Sequence, residues 1–227
     1  MKKMTFFFLI SLSVFACKER DDKPKNNNTN VVPKAGAHFV KGNSSAPISI
    51  DYFADLECGA CKAMSPVLDQ ILAKYPNDVK IVFRHFPKDL SCNSFKSNWN
   101  HEHACEAHVA AVCVGKIKDK FWEFKDHLFA NQSVYNDANF KTWATQNFGL
   151  SAGEYDNCIK DPAIMSQIKA DINDLLGRKI PKGQQGVGTP TIYINNSYRI
   201  FPASQQLIEN AINTLKSGKA LPVQEYQ

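Results

Sequence analysis

The chain has 227 residues, seven of them cysteine, with 44% hydrophobic and 22% charged residues and a formal net charge of +5. The positive excess is small and spread along the sequence, which argues against a nucleic-acid partner. After the leader and tether, the remaining length fits one domain with room for an inserted subdomain, and no internal repeat is visible.

Lys2 and Lys3 precede an uncharged apolar run from Met4 to Ala16. That run is shorter than the roughly 20 residues of a membrane-crossing helix, so residues 1–16 read as a cleaved export signal. Its removal takes away two lysines and leaves a still smaller positive charge. Val14-Phe15-Ala16-Cys17 resembles the lipobox of bacterial lipoproteins, although Phe15 is bulkier than the residue usual there. The resemblance implies that Cys17 is acylated and anchors the chain to a membrane, firmly once two or more acyl chains insert. By the same resemblance Lys18 favours the outer over the inner membrane, with the protein facing the periplasm of the cell envelope. An ordinary signal peptide with an incidental Cys17 is the alternative. Residues 17–37 carry charges, prolines and Asn26-Asn27-Asn28, and read as a disordered tether. The folded domain is expected over 38–227.

Ile48-Ser49-Ile50-Asp51-Tyr52-Phe53 alternates and is rich in β-branched and aromatic residues, which predicts a strand. Val67, Leu68, Ile71 and Leu72 recur at helical spacing and predict a helix to about Tyr75. Cys58-Gly59-Ala60-Cys61 therefore falls where a strand ends and a helix begins. The free N–H groups and positive dipole end of a helix start stabilise a thiolate. A nucleophilic cysteine with a resolving partner three residues on is the unit of thiol–disulfide exchange. A structural zinc site would need two further ligands, usually a second C-x-x-C, and the sequence has none.

Val79 to Pro87 predicts a second buried strand, completing a βαβ unit with parallel strands. From Ala104 the pattern is mostly helical, in pieces near 103–115, 118–130, 137–147, 151–159 and 162–178. Gly186-Val187-Gly188-Thr189-Pro190 interrupts it. Thr191–Ile194 and Tyr198–Phe201 then read as strands joined by an Asn195-Asn196-Ser197 turn, and Ser204 opens a last amphipathic helix.

This order resembles the thioredoxin superfamily, and within it the DsbA-like branch, over roughly Ile48 to Lys216. The residues that carry the resemblance are Cys58-Gly59-Ala60-Cys61, Pro66, Phe83-Arg84-His85-Phe86-Pro87, Gly115 with Lys120-Phe121-Trp122-Glu123, and Gly186 to Thr191. It implies an α/β thioredoxin fold with an inserted helical subdomain at about 92–180. It aligns Pro190 with the family's cis-proline facing the cysteine pair, an isomer that costs an X-Pro bond little. Thr189 would then offer its backbone to an extended client peptide. The type member carries Pro-His between its cysteines. Gly59-Ala60 supplies no comparable donor to the thiolate, which moves the expected poise toward an isomerase or reductase.

In an oxidising compartment the other cysteines are candidates for pairing. Cys92 and Cys105 resemble the paired cysteines of some DsbA-like sequences, which implies a structural disulfide. Cys113 and Cys158 are left open, as a pair or as buried thiols. His101, His103, Cys105 and His108 suggest a metal site only weakly, and such histidines at a helix start are expected to be solvated, as is Glu57. His38, His85 and His127 carry no inference beyond the placement of His85 at a strand end. The leading reading is an enzyme, a thiol–disulfide oxidoreductase acting as an oxidant, without cofactor or metal. Cys58 is its exposed nucleophile, Cys61 resolves, and Thr189 and Pro190 bind substrate. Its partners would be exported proteins with cysteines and a membrane redox protein that recycles the pair. The alternatives are an isomerase or reductase kept reduced by a membrane partner, and a metal-binding surface lipoprotein. The segment before Ile48 is too short and polar for the dimerisation domain of family isomerases.

Overall fold

The computed structural model describes residues 38–95 and 101–226, together with Met1. The export signal, the Cys17 lipobox and the tether lie outside the described residues.

The elements run β1 (Val40–Gly42), β2 (Ile48–Ala54), α1 (Gly59–Lys74), β3 (Val79–His85), α2 (Ala104–Lys118), α3 (Phe121–Ala130), α4 (Asp137–Thr142), α5 (Ala152–Cys158), α6 (Pro162–Gly177), β4 (Thr191–Ile194), β5 (Tyr198–Ile200) and α7 (Gln205–Lys216). Trp143–Asn147 continues α4 as a π-helical turn. The five strands lie in the order β1-β3-β2-β4-β5. β2 and β3 are parallel, from Ile48 opposite Val79 to Ala54 opposite His85, and the other pairings are antiparallel. The α/β class and the thioredoxin arrangement with inserted helices are the ones the sequence implied.

β2 is the central strand and is buried nearly along its whole length. β3 alternates, with Val79, Ile81, Phe83 and His85 buried, because one of its faces is less fully covered. α1 buries Cys61, Met64, Ser65, Leu68 and Ile71, a single stripe at helical spacing, while Pro66 withholds one N–H from its ladder. Asn195 and Asn196 both take left-handed φ (49° and 60°), the twist a tight hairpin needs between β4 and β5.

The inserted helices α2 to α6 pack beside β3 rather than forming a separate body. Asp171 of α6 accepts the His85 N–H at 2.9 Å and bonds His38 at 2.8 Å. At Gly115 a Cβ would lie 2.5 Å from the Phe39 ring, so glycine there lets Phe39 stack on Phe121 with centroids 3.9 Å apart. β1 was not foreseen; it is three residues long and owes its conformation to pairing with β3.

Candidate active site

The parallel pairing of β2 with β3 ends level with the start of α1, so the residues between Ala54 and Gly59 make one tight turn. Asp55 organises it. Its carbonyl accepts the Cys58 N–H (3.1 Å), its Oδ1 accepts the Glu57 N–H (2.7 Å), and its own N–H points at Cys61 Sγ (3.5 Å). Cys58 is the N-cap residue of α1, with extended φ and ψ, and its carbonyl accepts the Lys62 N–H at 3.0 Å.

Both thiols are free and buried. Cys58 retains 6% of its surface and Cys61 none, so the nucleophile is less open than the sequence reading supposed. Gly59 and Ala60, between them, are the exposed part of the motif. The Cys58 thiol is held down at about 5. The chief cause is the Cys61 thiol donating to its sulfur; burial opposes this, and the Thr189 side chain and the Cys61 N–H add to it. Cys61 is pushed well above 9, first by burial and then by its neighbour. The pair thus holds one acidic and one reluctant sulfur.

Across from α1 the Thr189–Pro190 peptide bond is cis, and the Thr189 carbonyl accepts from the Cys58 thiol at 3.6 Å. The loop leading there is held by the buried Arg199, which donates to Gln184 Oε1 (2.9 Å) and to the Gly186 carbonyl (2.5 Å). Tyr52 donates to the Cys61 carbonyl from beneath, at 2.8 Å.

The inserted helices grip the same turn, which sequence reasoning missed. The Leu56 N–H donates to His108 Nε2 (3.1 Å), and the Leu56 carbonyl accepts from Tyr135 Oη and Gln132 Nε2 (both 2.9 Å). The His103 N–H donates to Glu57 Oε2 at 3.0 Å. Glu57 is therefore half-buried and held from the insertion rather than solvated, and desolvation raises its carboxyl above the ordinary value. His108 is fully buried and not solvated; its Nδ1 lies 2.7 Å from His85 Nδ1. His101 faces Asp55, and Cys105 is bonded to Cys92, so the four residues of the suggested metal site are drawn to different partners. Among the described residues no three His, Cys, Asp or Glu side chains are grouped to hold a metal ion.

Cys92 and Cys105 form a disulfide that joins the loop after β3 to the first turn of α2. Cys113 and Cys158, left open by the sequence, form a second one between α2 and the end of α5. Only contact between elements 45 residues apart decides that pairing.

A five-stranded thioredoxin sheet, an inserted helical subdomain, and a C-x-x-C pair at a helix start facing a cis-proline define a DsbA-like fold of the thioredoxin superfamily. A family model described as thioredoxin matches residues 34–214, and the chain belongs to that family. Among solved structures it is similar to Pseudomonas aeruginosa DsbA2, with 26% identity, a TM-score of 0.58, and coverage of 78% of this chain and 93% of that one. It is also similar in fold to the thiol-disulfide exchange protein alpha-DsbA2 from Wolbachia pipientis (21% identity, TM-score 0.59, 78% and 87% covered). BdbD from Bacillus subtilis in its oxidised form gives 21% identity, a TM-score of 0.59, and 78% and 91% covered. Among curated proteins, the Na(+)/H(+) antiporter NhaA 1 of Mycolicibacterium gilvum is 22% identical over 69% of this chain. The match spans only 23% of that antiporter's length. Among the described residues no helix is long and apolar enough to cross a membrane.

Proposed function

We propose that this chain is an envelope oxidoreductase that passes its Cys58–Cys61 disulfide to exported proteins, acting as an oxidant. A client thiolate attacks the Cys58 sulfur; the S–S bond to Cys61 breaks, and Cys61 leaves and takes up a proton. A second client thiol then attacks the client sulfur of the mixed disulfide and expels Cys58. The client has lost two electrons and two protons and closed a disulfide, and the pair has gained the electrons. A leaving thiol of low pKa departs faster. The observation that carries the reading is therefore the acidic Cys58 at the mouth of α1, with the Thr189 carbonyl beside it. The client backbone would lie along Thr189 and Pro190, in the manner of an added strand. A membrane redox partner would then reoxidise the pair.

The reductase or isomerase reading is favoured by one feature: Gly59 and Ala60 are exposed and carry no side-chain donor for the thiolate. Oxidation of reduced ribonuclease and reduction of insulin, each with Cys58→Ala as control, decide the direction. A reduction potential of about −120 mV marks an oxidant and one of about −270 mV a thioredoxin-like reductant. Placement in the envelope rests on the lipobox around Cys17. If the anchor operates, Cys17→Ala moves the protein from the membrane to the soluble fraction, and an unchanged distribution would refute it.

A further inference from the structure

Asp55 has no exposed surface, yet it carries a carboxylate one turn before the nucleophile. A buried carboxylate needs hydrogen-bond donors to replace water. Oδ1 has the Glu57 N–H; Oδ2 has the Lys88 N–H at 2.7 Å and His101 Nδ1 at 2.8 Å. His101 is the side chain that crosses to Asp55 from the loop before α2, and its position is fixed by backbone on both sides. Its N–H donates to the Lys88 carbonyl (3.1 Å), and its own carbonyl accepts the Ala104 N–H (3.2 Å). Asp89, next to Lys88, accepts the Cys105 N–H, and the Cys92–Cys105 disulfide closes the same loop. The Nδ1–H can donate to Asp55 whether the ring is neutral or charged. Asp55 in turn touches both cysteines, through its N–H to Cys61 Sγ and its carbonyl to the Cys58 N–H.

We infer that His101 is a positioning residue for the Cys58/Cys61 pair: through Asp55 it holds the turn that aims backbone at both cysteines, and so sets the balance between dithiol and disulfide. The inference rests on the exchange reading proposed above. Without the His101 donor, Oδ2 of the buried Asp55 keeps only the Lys88 N–H. The turn is then held less firmly, and the backbone groups it aims at the two cysteines are less well placed to support a thiolate. The reduced form then loses stability relative to the disulfide. The His101 side chain retains 18% exposure, and the Asp55 it faces retains none.

The test compares the unmutated chain with His101→Leu and His101→Asn, the second of which keeps a donor near the place of Nδ1. Two quantities are read: thiolate absorbance against pH, and the reduced fraction against the ratio of reduced to oxidised glutathione. In His101→Leu the thiolate titrates at higher pH, and the equilibrium shifts toward the disulfide by about threefold to tenfold, with His101→Asn restoring most of both. A folded His101→Leu protein with unmutated titrations would overturn the assignment, as would His101→Asn behaving like the leucine variant. If the leucine variant melts early, the coupling is read in reverse in the unmutated chain, since linkage is reciprocal. The His101 imidazole must then titrate at higher pH when the pair is reduced than when it is oxidised, and identical curves would refute the coupling. Failure of the exchange reading looks different, because it is an unmutated chain that neither oxidises nor reduces a client.

Discussion

Among the described residues, α1 and α2 each carry a cysteine at or next to their first residue, and their starts behave in opposite ways. At α1 the N-cap residue is Cys58 itself, and no acidic residue lies in the first turn. There the Cys61 thiol, and to a lesser degree the Cys61 N–H of the helix start, donate to the Cys58 sulfur, and the thiol becomes acidic. At α2, Cys105 sits in the first turn, but Asp89 already accepts its N–H and Glu106 stands beside it. The positive end there has carboxylates for partners, and the sulfur is tied to Cys92. Burial does not separate the two, since Cys58 and Cys105 are both buried. What differs is which group answers the free N–H groups of the helix, a thiolate or a carboxylate.

The largest expected effect breaks the comparison outright. Cys58→Ser abolishes disulfide exchange with any client, whereas Cys92→Ser with Cys105→Ser leaves most of it. Equal losses in the two variants would mean that the α1 start has no special role.

Titration sharpens it further. The reduced protein is expected to show a thiolate inflection near pH 5, with the Cys58 alkylation rate flat above it and falling below. The ordinary thiol titrates near 9, so the reduced fold gains stability from this thiolate fully above that pH and loses it as pH falls toward 5. In Cys92→Ser the released Cys105 thiol, facing Asp89 and Glu106, should ionise at far higher pH than Cys58. Thiol absorbance followed in the two reduced proteins checks both statements.

The structural pairs should differ from each other by loop length. Opening Cys113–Cys158, which spans 45 residues, is expected to cost about 4 kcal/mol in the chain-entropy model, and Cys92–Cys105, spanning 13, about 3 kcal/mol. Urea denaturation of the two double-serine variants measures this. A reversed order would mean that the loop near the active site is the more constraining of the two.

Much of this was legible locally. The alternation of Ile48 to Phe53, the spacing of Leu68 and Ile71, and the paired asparagines of the hairpin each encode their conformation within a few residues, and these elements stand where the sequence put them. What was hidden depends on contact across the fold. β1 has no apolar run of its own. Cys113 meets Cys158 only because α2 and α5 pack together. His85 and His108 lie 23 residues apart and read as an isolated residue and a solvated one. The grip of the insertion on Leu56 and Glu57 runs largely through backbone groups, which the side-chain sequence does not announce.

The buried histidines provide the last and smallest test, and its sign follows from their tautomers. Because the Leu56 N–H donates to His108 Nε2, that nitrogen is unprotonated and the ring proton sits on Nδ1. From Nδ1 it donates to His85 Nδ1, which leaves the His85 proton on Nε2, buried and without a hydrogen-bond partner among the described residues. Both rings are thus neutral in the fold. Burial lowers His85 to about 4 and His108 well below its ordinary value. In the unfolded chain both take up protons near 6.5, so below that pH the unfolded state binds more protons and stability falls. The loss should run from pH 6.5 down to about 4 and appear as a falling urea midpoint. His101, whose value is raised by Asp55, acts in the opposite sense, adding stability at low pH that fades as pH rises through its own titration. His85→Phe removes one acid-sensitive group and should flatten the decline. An equally steep decline in that variant would place the acid sensitivity elsewhere. The histidine pair would then be a packing element beneath Leu56, with no part in how the turn before Cys58 responds to pH.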